Sequence, residues 1–198
     1  MPPRQLNRIC VFTGSSMGAH PEYAEAAGAL GRVFAKEHIE LVYGGASVGL
    51  MGVLADEILV QSGRVHGVIP RGLASKEVMH ASLTELTVVE SMHARKQAMS
   101  DLADAFIAMP GGFGTFDELF EILTWAQLGI HAKPIGILNV AGYFDPLIRM
   151  IETAVTQGFV PETHQSLFVV ETDAKGLVQA LRTHPMPKVR RWITREQS

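Results

Sequence analysis

Ala105, Phe106, Ile107, Ala108, Met109, Pro110, Gly111, Gly112, Phe113, Gly114, Thr115, Phe116, Asp117 and Glu118 form an apolar run, a glycine-rich turn and the start of an amphipathic helix. A continuous apolar run suits a parallel strand covered on both faces, whereas a strand with one wet face alternates. Glycines after such a strand let backbone approach a ligand closely, and the N–H groups that open the following helix have no intrahelical partner. The stretch therefore reads as strand, anion-binding turn and helix, with a carboxylate beside the anion site.

The same rhythm recurs outward from this unit. Apolar, β-branched runs at residues 8–13, 39–43, 65–69, 86–89, 135–138 and 167–170 alternate with helical segments. That pattern predicts an α/β fold, a Rossmann-like doubly wound parallel sheet with helices on both faces. Pro21 opens a helix with Tyr23, Ala27, Leu30 and Phe34 at helical spacing, and Lys36 and His38 lie near its end, where the helix dipole favours them. Ser47 is the expected cap of a helix reaching about Gln61, and Asp145 with Pro146 starts another. Leu119, Phe120, Leu123 and Gln127 are expected along one side of the helix after the glycine turn. Residues 70–82 form the longest irregular piece, long enough for a flap over a site.

The 198 residues fit one nucleotide-binding domain spanning 1–198, with a basic tail at about 184–198 holding Lys188, Arg190, Arg191 and Arg195 beside Trp192. A formal net charge of -3 provides no broad basic field of the kind nonspecific nucleic-acid binding needs. The tail reads as a solvated terminus. Cys10 is the single cysteine and sits in an apolar run, so it reads as a buried small hydrophobe and no intrachain disulfide forms. No stretch approaches the roughly 18 apolar residues of a membrane span. The expectation is a cytoplasmic protein with neither nucleic acid nor membrane as partner.

Ligands of such sheets bind beyond the carboxyl ends of the strands, where strand order reverses. Three glycine turns fall at strand ends: Gly14 with Ser15 and Ser16, Gly44 with Gly45, and the turn from Gly111 to Gly114. Two familiar nucleotide motifs fail there. The dinucleotide fingerprint needs glycine or alanine where Asp117 stands, and the second strand ends in Tyr43 instead of an acid for ribose hydroxyls. Gly44 and Gly49 have the outer spacing of a P-loop, but Leu50 and Met51 replace the lysine and hydroxyl residue.

Glu118 has two readings. With Thr115 three residues earlier it matches a capping box; with Arg95 and Lys96, two cations near the start of a helix whose dipole opposes them, it belongs to an anion site. The histidines at 20, 38, 66, 80, 93, 131, 164 and 184 show no ligand-like pairing, so no metal is expected. Ser15 and Ser16 lack a nucleophile elbow and read as hydrogen-bond donors. Met79, Met92, Met99, Met109 and Trp125 read as core or subunit interface.

The glycine turn up to Glu118, with Met92, His93, Arg95 and Lys96, with Tyr43, Gly44, Gly45, Gly49, Leu50, Met51 and Gly52, and with the stretch from Thr124 through Trp125 to Ile130, resembles the LONELY GUY (LOG) family. These are cytokinin riboside 5'-monophosphate phosphoribohydrolases. The resemblance runs from about Ile9 to about Leu181 and implies a homodimer of Rossmann-like subunits. It implies hydrolysis of the N-glycosidic bond of N6-modified adenosine monophosphate, without a cofactor. By position it makes Arg95 and Glu118 the catalytic pair. Glu77, Lys96, Gly112, Phe113, Gly114, Thr115, Phe116, Asp117, Glu118 and Thr124 then line the nucleotide, joined by Gly111, Gly14, Ser15, Gly44 and Gly45 of the turns. Thr13 stands where many relatives have cysteine, a departure that leaves this chemistry in place. A carrier or sensor binding the nucleotide without hydrolysing it is the alternative.

Overall fold

The computed structural model describes residues 3–74 and 79–189. Glu77, and Arg190, Arg191, Trp192 and Arg195 of the basic tail, lie outside the described residues. Seven strands, β1 (Arg8–Phe12), β2 (Glu40–Tyr43), β3 (Val65–Pro70), β4 (Glu85–Val89), β5 (Ala105–Ala108), β6 (Ile135–Leu138) and β7 (Phe168–Glu171), build one sheet. Its order is β4-β3-β2-β1-β5-β6-β7, and every pairing is parallel. All seven expected runs are strands, because each buries side chains on both faces or closes an edge of the same sheet.

The helices are α1 (Pro21–Lys36), α2 (Gly49–Val60), α3 (Arg71–Ala74), α4 (Met92–Leu102), α5 (Phe113–Gln127), α6 (Asp145–Thr156) and α7 (Ala174–Thr183). Alternation along the strands feeds two cores. Ile9, Val11, Leu41, Tyr43 and Ile107 pack with Leu30 and Phe34 of α1, Leu54 and Ile58 of α2, and Leu177 and Leu181 of α7. Cys10, Phe12, Val42, Phe106 and Ala108 point the other way, onto Met99 of α4 and Leu119, Ile122 and Ala126 of α5. Two covered faces make the sheet doubly wound, as the continuous apolar runs require.

Three local expectations fail. Val48, not Ser47, is the N-cap of α2, and no side chain caps it. The α5 helix begins earlier than a capping box needs: Gly112 is its N-cap, so Thr115 and Glu118 are both helical and cannot form that box. The buried stripe of α5 is Thr115, Glu118, Leu119, Ile122 and Ala126, while Phe120 is 41% exposed. Helical spacing of 3.6 puts residue 118, not 120, on the sheet-facing side with 115, 119 and 122. Within the expected flap, among the described residues, Pro70 ends β3, residues 71–74 are helical, and Ala46 bridges Met79.

Candidate active site

From β1 the chain moves to β2 on one side, and it returns to β5 on the other. The turns leaving β1 and β5 therefore diverge and open a crevice at the carboxyl ends of the strands. A cavity of about 370 Å³ lies there, and Gly14, Ser15, Gly44, Arg95, Gly112, Phe113, Gly114, Thr115, Asp117 and Glu118 all line it. The two turns are stitched together, since the Gly14 N–H and the Thr13 hydroxyl both donate to the Pro110 carbonyl, at 3.0 and 3.1 Å. Thr13 thus anchors the glycine turn to β1. Gly14 is consumed in packing: its carbonyl accepts from the Met51 N–H, leaving Ser15 as the turn's outward donor.

At α5 the first helical bond runs from Phe116 N–H to the Gly112 carbonyl. The N–H groups of Phe113, Gly114 and Thr115 consequently have no acceptor within the helix. A Cβ on Gly112 or Gly114 would meet no atom within 4 Å, and the residues from Gly112 to Thr115 line the cavity, so the start of α5 borders open space. Exposed amides at a helix N-terminus, with room in front of them, form an anion cradle.

Glu118 and Arg95 face each other across the floor of this cradle. Arg95 Nη2 stands 3.7 Å from Glu118 Oε1, longer than a charge-assisted hydrogen bond, so both groups keep capacity for a third partner. Gly44 makes room for the guanidinium: a Cβ there would lie 2.1 Å from Arg95 Nη2. Glu118 is 9% exposed. Burial pushes its carboxyl up to about 7; the Arg95 charge pulls against this, and the neighbouring Asp117 adds to it. A carboxyl poised near neutrality, beside a fixed cation and an anion cradle, is equipped for proton transfer or for stabilising developing positive charge.

The remaining predicted residues divide. Gly111 and Gly45 support the site from behind, the Gly111 carbonyl accepting from the Tyr143 hydroxyl and the Gly45 carbonyl from the His80 N–H. Phe116 stacks on Tyr143. Lys96 points along α5 instead, with Nζ 3.0 Å from both Asp117 Oδ2 and Glu121 Oε1. Thr124 is exposed, its hydroxyl bonded to the Phe120 carbonyl at 2.7 Å. The chemistry-led reading missed the apolar half of the cavity, made by Val48, Met51, Ile69, Leu73, Met92 and Met99. Met99 is in the core as expected, and both it and Met92 also line the cleft, where only the strand order brings them.

Among the described residues, Glu40, His66 and Glu85 bring ligand-type atoms within 4.8 Å of one another. They sit at the amino ends of β2, β3 and β4, the sheet edge opposite the cleft, and Arg8 and Arg64 already pair with Glu40 and Glu85. No helix among the described residues is long and apolar enough to cross a membrane.

The family model described as "possible lysine decarboxylase" matches residues 51–181. Among the described residues, no lysine lines the cavity. The probable cytokinin riboside 5'-monophosphate phosphoribohydrolase LOGL9 of Oryza sativa subsp. japonica is 47% identical over 91% of this chain and 79% of its own length. The cytokinin riboside 5'-monophosphate phosphoribohydrolase LOG2 of Arabidopsis thaliana is 46% identical over 93% of this chain and 86% of its own. Among solved structures, the molybdenum cofactor carrier protein of Chlamydomonas reinhardtii superposes with a TM-score of 0.67 at 20% identity, covering 91% of this chain and 96% of its own. At that identity the likeness is one of fold.

Proposed function

The chain belongs to the LOG family of cytokinin riboside 5'-monophosphate phosphoribohydrolases, and from that premise we propose that it hydrolyses the N-glycosidic bond of N6-modified adenosine 5'-monophosphates. The products are the free base and ribose 5-phosphate. The observation that carries the reading is a carboxylate poised near neutrality at the foot of an anion cradle, Glu118 below the amides of Phe113, Gly114 and Thr115.

In the proposed reaction the 5'-phosphate sits on those amides and near Ser15. Binding energy from this remote group holds C1' over Glu118. As the C1'–N9 bond lengthens, positive charge spreads over the ribose ring, and ionised Glu118 stabilises it, as carboxylates do in sugar hydrolysis. Water then bonds to C1', giving one proton to Glu118. The base leaves with the bond's electron pair and takes up a proton, and the carboxyl returns its own to solvent. Arg95 orients the carboxylate and, with its free fork positions, holds a ribose or phosphate oxygen. The apolar wall of Met51, Ile69, Leu73 and Met92 suits an apolar substituent on the base.

A cytoplasmic homodimer completes the proposal. Leu86 and Val88 on edge strand β4, Met92 at the start of α4 and Phe120 on α5 are exposed apolar side chains of the kind a subunit contact covers. The lone buried Cys10 suits a reducing compartment. Sedimentation of the purified protein at twice the monomer mass is the expected result.

The activity is tested by incubating the protein with isopentenyl-AMP and with AMP and following free base by chromatography. Faster release from isopentenyl-AMP is expected. Tight nucleotide binding with no base from either would instead make the protein a carrier or sensor.

A further inference from the structure

A second cavity, of about 210 Å³, lies behind the glycine turn and is lined by Gly111, Gly112, Tyr23 and Tyr143 among others. Tyr143 takes no part in the cleft itself. Its hydroxyl donates to the Gly111 carbonyl. That carbonyl and the Gly112 N–H belong to one peptide unit, and no peptide bond among the described residues is cis. In a trans peptide the two groups point in opposite directions. Gly112 lines both cavities, as do Gly14 and Ser15. With the carbonyl held toward Tyr143, the Gly112 N–H points away from the phenol, and Gly112 lines the cleft together with Phe113, Gly114 and Thr115, whose amides open α5.

We infer that Tyr143 is a positioning residue that sets the Gly111–Gly112 peptide and thereby completes the phosphate cradle. The inference rests on the monophosphate reading of the cleft. A peptide between two glycines has little steric resistance to flipping, so its orientation must be imposed from outside. The phenol is well placed to impose it. Its ring stacks on Phe116 at 6.4 Å and meets Phe144 edge-on at 5.0 Å and Tyr23 at 5.8 Å. The turn that carries it is held by the Asn139 side chain, which donates to Asp145 Oδ1 at 2.7 Å and accepts from the Phe144 N–H at 2.8 Å. If the peptide flipped, the Gly111 carbonyl would face the bound phosphate, a repulsive contact in place of a donor.

Tyr143→Phe removes the hydroxyl and keeps the ring. Binding of ribose 5-phosphate, which carries the phosphate, and of adenosine, which does not, is measured by calorimetry for both proteins. The variant should bind ribose 5-phosphate about tenfold more weakly, the scale of one lost hydrogen bond to a charged group, and adenosine within about twofold of wild type. Equal weakening of both ligands, or no weakening of either, would overturn the assignment of Tyr143 while leaving the cleft's function standing. Wild-type protein that fails to bind ribose 5-phosphate would overturn the monophosphate reading, and the inference with it.

Discussion

Glutamine in place of Glu118 should stabilise the folded protein relative to wild type in alkaline solution, with the difference shrinking in acid. Burial raises the Glu118 carboxyl from the ordinary 4.5 to about 7. Below pH 4.5 the folded and unfolded chains both hold the proton, and the group favours neither. Between 4.5 and 7 the folded chain keeps a proton that the unfolded chain has lost, so wild-type stability falls as pH rises. Above 7 the loss is complete and amounts to about 3 kcal/mol. Glutamine mimics the protonated acid and never ionises, so it escapes this loss. In a chain of this size, 1 kcal/mol moves the melting temperature by about 2–4 °C. Thermal unfolding of both proteins at pH 5 and pH 8.5 should therefore show the variant gaining several degrees on wild type between the two conditions. Parallel behaviour would mean that Glu118 titrates like a surface carboxyl, and the argument for its poise would fail.

Arg95→Ala removes the cation that pulls the Glu118 carboxyl down, so the rising limb of kcat/KM against pH should move above 7 while the maximum falls; an unmoved limb would separate the two residues. Gly44→Ala places a methyl group on the guanidinium, since the Cβ would lie 2.1 Å from Arg95 Nη2. Its turnover should fall nearly as far as that of Arg95→Ala, and near-wild-type rates would show that Arg95 works equally well from another position. Lys96→Gln breaks two ion pairs with α5, and Lys96 itself does not line the cavity although its partner Asp117 does, so steady-state rates should stay within a few-fold of wild type.

The strands were readable because each is a short apolar run bounded by glycine, proline or charge. The three glycine turns were readable as a group once the runs were taken as parallel, since parallel strands put all their carboxyl ends on one edge. Helix starts were less so. Val48 precedes α2 without offering a cap, because tertiary packing of Leu50 and Leu54 holds the helix in place of a side-chain bond. Thr115 and Glu118 mimic a capping box in spacing, yet Gly112 opens α5 and turns both inward. The dipole-opposing Arg95 hinted at an anion nearby, but its spacing of 23 residues from Glu118 does not itself bring the two side chains together. Their pairing depends on α4 and α5 packing into the same core and both reaching β1. The apolar wall was hidden for the same reason, because Met92 and Met99 on a helix look alike whether they face a core or a cleft.

Product release from isopentenyl-AMP, compared between wild type and Glu118→Gln at pH 8 with nucleotide binding followed in parallel, addresses the central claim directly. Wild type should yield equal amounts of free base and ribose 5-phosphate, and the variant should bind the nucleotide with similar affinity yet release neither. Substantial hydrolysis by the variant would remove Glu118 from the chemistry, and absence of products from folded, nucleotide-binding wild type would contradict the enzyme assignment itself.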